Sequence, residues 1–220
     1  MQCEFVKPLN VDLLTETSPW GVDVKLVANT GSTNDDMLCL GEDGAPAGTI
    51  IFAEAQHAGR GRFRRPWSSS PGLGLWFSLL LRQEITDFTI PSLSAFASVA
   101  LVETLREFGF ADCQVKFPND VMIGGLKTAG ILVETRLGKS PFAVVGVGLN
   151  VNHRRDDFPE ELRETATSLL LASSSIQDRQ AIAMKLLVSL GKTERVMANN
   201  REALLATWNS LLMPAFPPGH

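Results

Sequence analysis

The sequence predicts an α+β fold, a mixed but largely antiparallel sheet with flanking helices. Three observations carry that reading. Short β-branched and apolar runs, bounded by Gly, Pro and Ser clusters, recur through the first 150 residues. A long stretch from Pro91 changes to helical spacing, and two more helical stretches lie near the end.

In chain order, GVDVKLV (21–27) alternates like a strand, and GSTNDDMLCLG (31–41) reads as a short helix capped by Ser32, Thr33 or Asn34. Thr49 to Ala53 is a β-branched run, hence a buried strand. Residues 57–74 break every period and must form a loop, after which Leu75 to Leu81 returns as a strand. Leu93, Phe96, Ala97, Ala100, Leu101, Leu105 and Phe108 share one helical face. Cys113 to Lys116 is a short strand. Val121 to Ile123 and Leu132 to Glu134 form a hairpin around Gly124-Gly125, and Ala143 to Val151 is a further strand. Two helices, roughly Asp178 to Leu190 and Thr193 to Trp208, follow a charged loop.

The chain has 220 residues, 45% apolar and 20% charged, which suffices for a full core without staples. A net charge of -4 argues against a nucleic-acid-binding surface. Cys3, Cys39 and Cys113 are widely spaced, which disfavours a disulfide framework or zinc knuckle and fits a reducing compartment. The N-terminus carries Glu4 and Asp12 without a continuous apolar stretch, unlike a signal peptide. No apolar run reaches the ~18 to 20 residues of a membrane span, so a cytoplasmic location is expected.

The loop at 57–74 is the most unusual segment. Arg60, Arg62, Arg64 and Arg65 fall within six residues, and no Asp or Glu occurs between Glu54 and Glu84. Gly59 and Gly61 let the backbone approach a ligand, and arginine forks suit phosphate or carboxylate. A solvated basic loop is the plain alternative. Trp67 offers a stacking platform, or simply a core ring. In KFPNDVMIGGLKTAGILVET, Asn119 and Asp120 suit an Asx turn, and Lys116 and Lys127 could be surface lysines. Gly130 lies mid-strand where a side chain is expected, as if a ligand or backbone lay against it. In VVGVGLNVN, Asn150 and Asn152 could orient a ligand or merely end a strand.

These segments resemble the catalytic domain of biotin–protein ligases, the biotin–acetyl-CoA-carboxylase ligases. Four blocks appear in order: GSTN at 31–34, EAQHAGRGRFRRPW at 54–67, KFPNDVMIGGLKTAGILVE at 116–134 and GVGLNVN at 146–152, followed by TSL at 167–169. The resemblance implies the biotin/lipoate ligase fold, which is class II synthetase-like, over residues 24–209. Residues 1–23 would be an extension and 210–220 a disordered tail. It implies that Ser32, Thr33 and Gln56 bond the biotin head group, and that Gly59, Arg60 and Arg62 close over its carboxylate and the ATP α-phosphate. Arg65 and Trp67 would serve the triphosphate and adenine. Asn119, Lys127 and Asn150 would line the nucleotide and magnesium side. Gly130, Leu132 and Gly148 would form the wall behind biotin, and Arg60, Arg62 and Lys127 would be catalytic.

The implied activity is ATP-dependent formation of biotinoyl-5'-AMP, with Mg²⁺, then transfer to a lysine of a biotin carboxyl carrier domain. No nucleic acid or membrane partner is expected, and a homodimer is left open. Arg64 stands where the family usually has glycine, and Phe117 where it has tryptophan. The terminal β-barrel and the N-terminal DNA-binding domain of some relatives are expected to be missing, which keeps open a member that binds biotin but transfers it poorly. A lipoate ligase or octanoyltransferase of the same superfamily is the nearest rival. GRGR with Trp67, in place of an RRxSGGG-like block, and a Cys113 without the transferase pattern weigh against it.

Overall fold

The computed structural model describes residues 7–87 and 89–214. Helix α1 (Val11–Thr17) precedes strand β1 (Val24–Val27), helix α2 (Thr33–Glu42) and strands β2 (Ile50–Ala53) and β3 (Gly74–Leu81). Helix α3 (Thr89–Glu107) leads into β4 (Gln114–Lys116), β5 (Asp120–Ile123), β6 (Leu126–Arg136) and β7 (Phe142–Asn150). Helices α4 (Leu169–Ser173), α5 (Arg179–Asn199) and α6 (Arg201–Leu211) complete the described chain. The seven strands form one sheet in the order β1-β2-β3-β7-β6-β5-β4, with only β1 and β2 parallel. The expected mixed, largely antiparallel sheet is observed.

Strand alternation divides the molecule into a dry face and a working face. Ile50, Phe52, Leu75, Phe77, Leu79, Ala129, Ile131, Val133, Val145 and Val147 point to one side, and there they join Leu93, Phe96, Leu101, Leu186, Leu187 and Leu190 in the main core. A smaller cluster beneath α2, built on Met37, Leu38, Ile51, Leu80, Phe142 and Val144, covers one end of the other side. The rest of that second side carries Trp76 and Ser78 on β3, Gly146, Gly148 and Asn150 on β7, and Gly130, Leu132 and Glu134 on β6. No helix among the described residues is long and apolar enough to cross a membrane.

Several boundaries differ from expectation. Of the expected N-terminal extension, residues 7–23 pack into the fold: Asn10 caps α1, Leu14 is fully buried, and the Leu9 N–H donates to Glu54, which also pairs with buried Arg179 at 2.7 Å. Helix α5 runs through Gly191 and ends at Asn199, because the absent Cβ of Gly191 leaves room for Pro19. Asn200 then caps α6 by accepting from the Ala203 N–H. The ordered chain continues past 210: α6 reaches Leu211, Leu212 bridges Val115, and the Met213 N–H donates to the Val115 carbonyl. Residues 215–220 of the expected disordered tail lie outside the described residues.

Candidate active site

The working face holds a cavity of about 880 Å³. Its floor is a cross-strand row in which Trp76 faces Gly148, Gly148 faces Gly130, and Gly130 faces Asp120. The indole of Trp67 lies on this row. A Cβ on Gly148 would stand 2.6 Å from its ring, and one on Gly130 would stand 3.0 Å away. The two glycines therefore seat a tryptophan, and Trp67 forms part of the cavity's inner surface. Trp67 meets Trp76 edge-on at 6.3 Å, and the Lys127 ammonium sits 5.3 Å from its ring centroid.

The arginine loop folds back on itself beside this floor. The Trp67 N–H donates to the Gly59 carbonyl and the Gly61 N–H to the Arg65 carbonyl, both at 2.9 Å. Phe63 and Arg64 at the tip both adopt φ +57°. A Cβ on Gly59 would lie 2.9 Å from both Ser69 Oγ and the Trp67 carbonyl. Gly59 is thus required by the loop's own return.

One part of the cavity is lined by the neutral polar groups of Ser32, Thr33 and Gln56. Ser32 is the N-terminal cap residue of α2, yet its hydroxyl makes no capping bond. Gln56 Oε1 accepts from the Thr33 N–H at 2.8 Å and lies 3.2 Å from its hydroxyl, while Gln56 Nε2 donates to Ser69 Oγ at 2.9 Å. The amide is fixed in orientation on both sides.

The opposite end is cationic. Lys127 pairs with Asp120 at 2.6 Å. Its backbone is held on both sides, the N–H donating to the Thr165 carbonyl and the carbonyl accepting from the Thr167 N–H. Asn119 exchanges bonds with the Ile131 backbone, and Asn150 donates to the Thr167 carbonyl at 3.1 Å. Arg62, Arg65, Lys116, Asn119, Lys127 and Asn150 all line this end. Arg62 donates to Asn119 at 3.4 Å and lies 5.0 Å from the Phe63 ring centroid, and neither Arg62 nor Arg65 forms an ion pair among the described residues. Arg60 is engaged differently: its guanidinium bonds both oxygens of Asp35 at 2.6 and 2.7 Å and reaches Glu134 at 3.0 Å. The Asp35 bond, with help from Glu134, raises its pKa above the ordinary value.

One further wall comes from residues 158–166. Phe158 stacks on His153 at 5.0 Å, and His153 meets Trp76 at 5.8 Å, so an aromatic chain joins Trp67 to this wall. His153 is buried with neither ring nitrogen hydrogen-bonded among the described residues, and burial lowers its pKa to about 4.

The sequence profile of the biotin/lipoate A/B protein ligase family matches residues 27–152, more than half of the chain and all of the cavity lining except the wall at 158–166. The chain belongs to that family. Among its relatives, the bifunctional ligase/repressor BirA of Bacillus subtilis is 37% identical over 174 residues, 78% of this chain and 54% of the relative. The chain thus spans about half the length of that protein. The biotin–(acetyl-CoA-carboxylase) ligase of Mycobacterium tuberculosis is 37% identical over 191 residues, covering 84% of this chain and 68% of the relative. Among solved structures, the biotin protein ligase of Aquifex aeolicus in complex with biotin and ATP superposes with a TM-score of 0.75 at 28% identity, covering 86% of this chain and 78% of that one.

Of the residues the family resemblance singled out, Ser32, Thr33, Gln56, Arg60, Arg62, Arg65, Trp67, Asn119, Lys127, Gly130, Leu132, Gly148 and Asn150 all reach the cavity. Sequence reasoning offered Asn34 only as a helix cap and gave no role to Asp35, Ser78, Glu134 or the wall at 158–166. Asn34 and Glu134 stand inside the family blocks, and Ser78 is a lone hydroxyl in an apolar strand. Those were the available signals.

Proposed function

We propose that this chain is the catalytic unit of an ATP-dependent biotin–protein ligase. The observation that carries the reading is the gradient across one cavity: an oriented neutral amide and hydroxyls at one end, an aromatic floor in the middle, and, with Lys127, two arginines free of ion pairs among the described residues at the other. A ureido ring is neutral and rich in hydrogen-bonding groups, so it suits Ser32, Thr33 and Gln56. A thioether ring and alkyl chain suit the Trp67 face. The Mycobacterium biotin–(acetyl-CoA-carboxylase) ligase among the relatives, and the biotin and ATP bound to the Aquifex protein, support the same assignment.

In the first step, an oxygen of the biotin carboxylate attacks the α-phosphorus of ATP. The bond to the β-phosphate oxygen breaks, giving biotinoyl-5'-AMP and pyrophosphate. All reacting groups are anionic, so Arg62, Arg65 and Lys127 gather them and spread the charge of the transition state. In the second step, a lysine amine of a biotin carboxyl carrier domain attacks the acyl carbon, loses a proton and expels AMP. The loop at 59–67 and the wall at 158–166 shield the mixed anhydride from water.

The described residues contain no cluster of three or more His, Cys, Asp or Glu that would cage a metal. Magnesium carried by nucleotide needs only one or two carboxylates beside phosphate oxygens, so Asp120 and the Asn150 carbonyl oxygen fit that need. The ion would neutralise phosphate charge.

Pyrophosphate release measured with biotin, lipoate and octanoate in turn tests the reading. Biotin alone should drive it. Equal rates with octanoate would favour the lipoate-ligase branch of the family.

A further inference from the structure

We infer that Arg60 is a positioning residue, which with Asp35 and Glu134 forms a clamp holding the arginine loop against the cavity. The inference refines the ligase reading above by separating the arginine that holds the loop from those that meet phosphate.

Charge decides between the two roles. One guanidinium lies against two carboxylates, at 2.6 Å from Asp35 and 3.0 Å from Glu134, so the trio carries a net charge of -1. Such a group repels a carboxylate or a phosphate at contact distance, whereas Arg62 nearby has no carboxylate partner among the described residues. The two jaws are built differently. Glu134 is anchored in the sheet: Asn34 Nδ2 donates to it at 2.8 Å, and Ser78 Oγ donates to Asn34 Oδ1 at 2.6 Å. The Asn34 amide fits there because residue 146 is glycine, a Cβ at that position running into the amide. Asp35 sits in the first turn of α2 with its side chain more than half exposed. One jaw is fixed and the other can let go. Beyond the bonds at its base, the loop's polar ties to the rest of the described chain are this clamp and the long Arg62–Asn119 contact.

Trypsin reports the loop's state without any ligase chemistry, because Arg62 and Arg64 are exposed at its tip. Asp35→Asn and Arg60→Lys, each of which spoils the fork, should speed cleavage after Arg62 and Arg64 on the order of tenfold. The same variants should raise the KM for biotin on the order of tenfold, with kcat for pyrophosphate release within about twofold of wild type. Glu134→Gln should do the same, and its melting temperature will show whether the fold survives; Asp35→Asn, at the surface, decides the matter if it does not. Asp35→Ala combined with Arg60→Ala should cost no more than Arg60→Ala alone. If Asp35→Asn leaves cleavage and KM unchanged while Arg60→Lys lowers kcat, Arg60 acts on the phosphate directly and the clamp is wrong. Should wild type release no pyrophosphate with biotin, the ligase reading fails, and the trypsin pattern still judges the clamp.

Discussion

Arg64 shows how much a single residue can carry. The structure gives it φ +57°, a left-handed conformation that costs an L side chain roughly 1–2 kcal/mol. Glycine would relieve that cost but gives the unfolded chain more freedom, which returns roughly half of it. Arg64→Gly should therefore raise stability by about 0.5 kcal/mol, read as a higher urea midpoint. Because Arg64 does not line the cavity, adenylation should barely change. Lys127 is the opposite case. Its backbone is fixed on both sides and its ammonium faces the cavity. Lys127→Ala should slow pyrophosphate release on the order of a hundredfold, the scale of losing one preorganised donor, with biotin binding in the absence of ATP little altered. A wild-type rate in a stopped-flow assay would reduce Lys127 to a structural lysine.

At the scale of elements, the sheet sets the site by subtraction. Gly148 and Gly130 are neighbours across β6 and β7, and their missing side chains are the seat of Trp67. Gly148→Ala places a methyl 2.6 Å from the indole, so the ring must lift into the cavity. Displacement of about 1 Å in a positioning group costs on the order of a hundredfold, and calorimetry should show biotin binding weakened by ten- to a hundredfold while the fold persists. Gly130 signalled this seat in the sequence as an unexplained mid-strand glycine, and the ring of Trp67 lies against it. Strands and the long α3 were legible because burial on one face leaves a period of 2 or 3.6. Helix α1 was not, since it buries only Leu14, and α4 was not, since it spans five residues. The α5 boundary misled because glycine usually interrupts a helix, whereas Gly191 is there to admit Pro19. Of the site, the loop arginines and Lys127 could be read from local composition and family resemblance. The Arg60–Asp35–Glu134 group could not, because its partners lie 25 and 74 residues away and meet only once the strand register is known.

The whole molecule is tied together through His153. This ring joins the end of β7, Trp76 on β3 and Phe158 on the cavity wall, so one buried imidazole links three parts of the fold. Neither nitrogen has a hydrogen-bond partner among the described residues, and burial depresses its pKa from 6.5 to about 4 even though Asp157 pulls the other way. A depressed histidine pKa means that the folded state refuses a proton the unfolded chain accepts. Its effect is absent above pH 6.5 and grows as pH falls toward 4, where the unfolded state binds more protons and stability drops. By pH 5 the loss amounts to roughly 2 kcal/mol, a sizeable share of the stability of a domain this size. His153→Phe keeps a flat ring between Trp76 and Phe158 and removes the titration, and it sacrifices no hydrogen bond because none is made. Urea unfolding at pH 7.5 and pH 5 should therefore show wild type losing roughly 2 kcal/mol more than His153→Phe between the two conditions, with the variant the more stable at pH 5. Equal pH dependence in the two proteins would mean that His153 is protonated or solvated in the folded state, and that the aromatic chain from Trp67 to Phe158 is open to water.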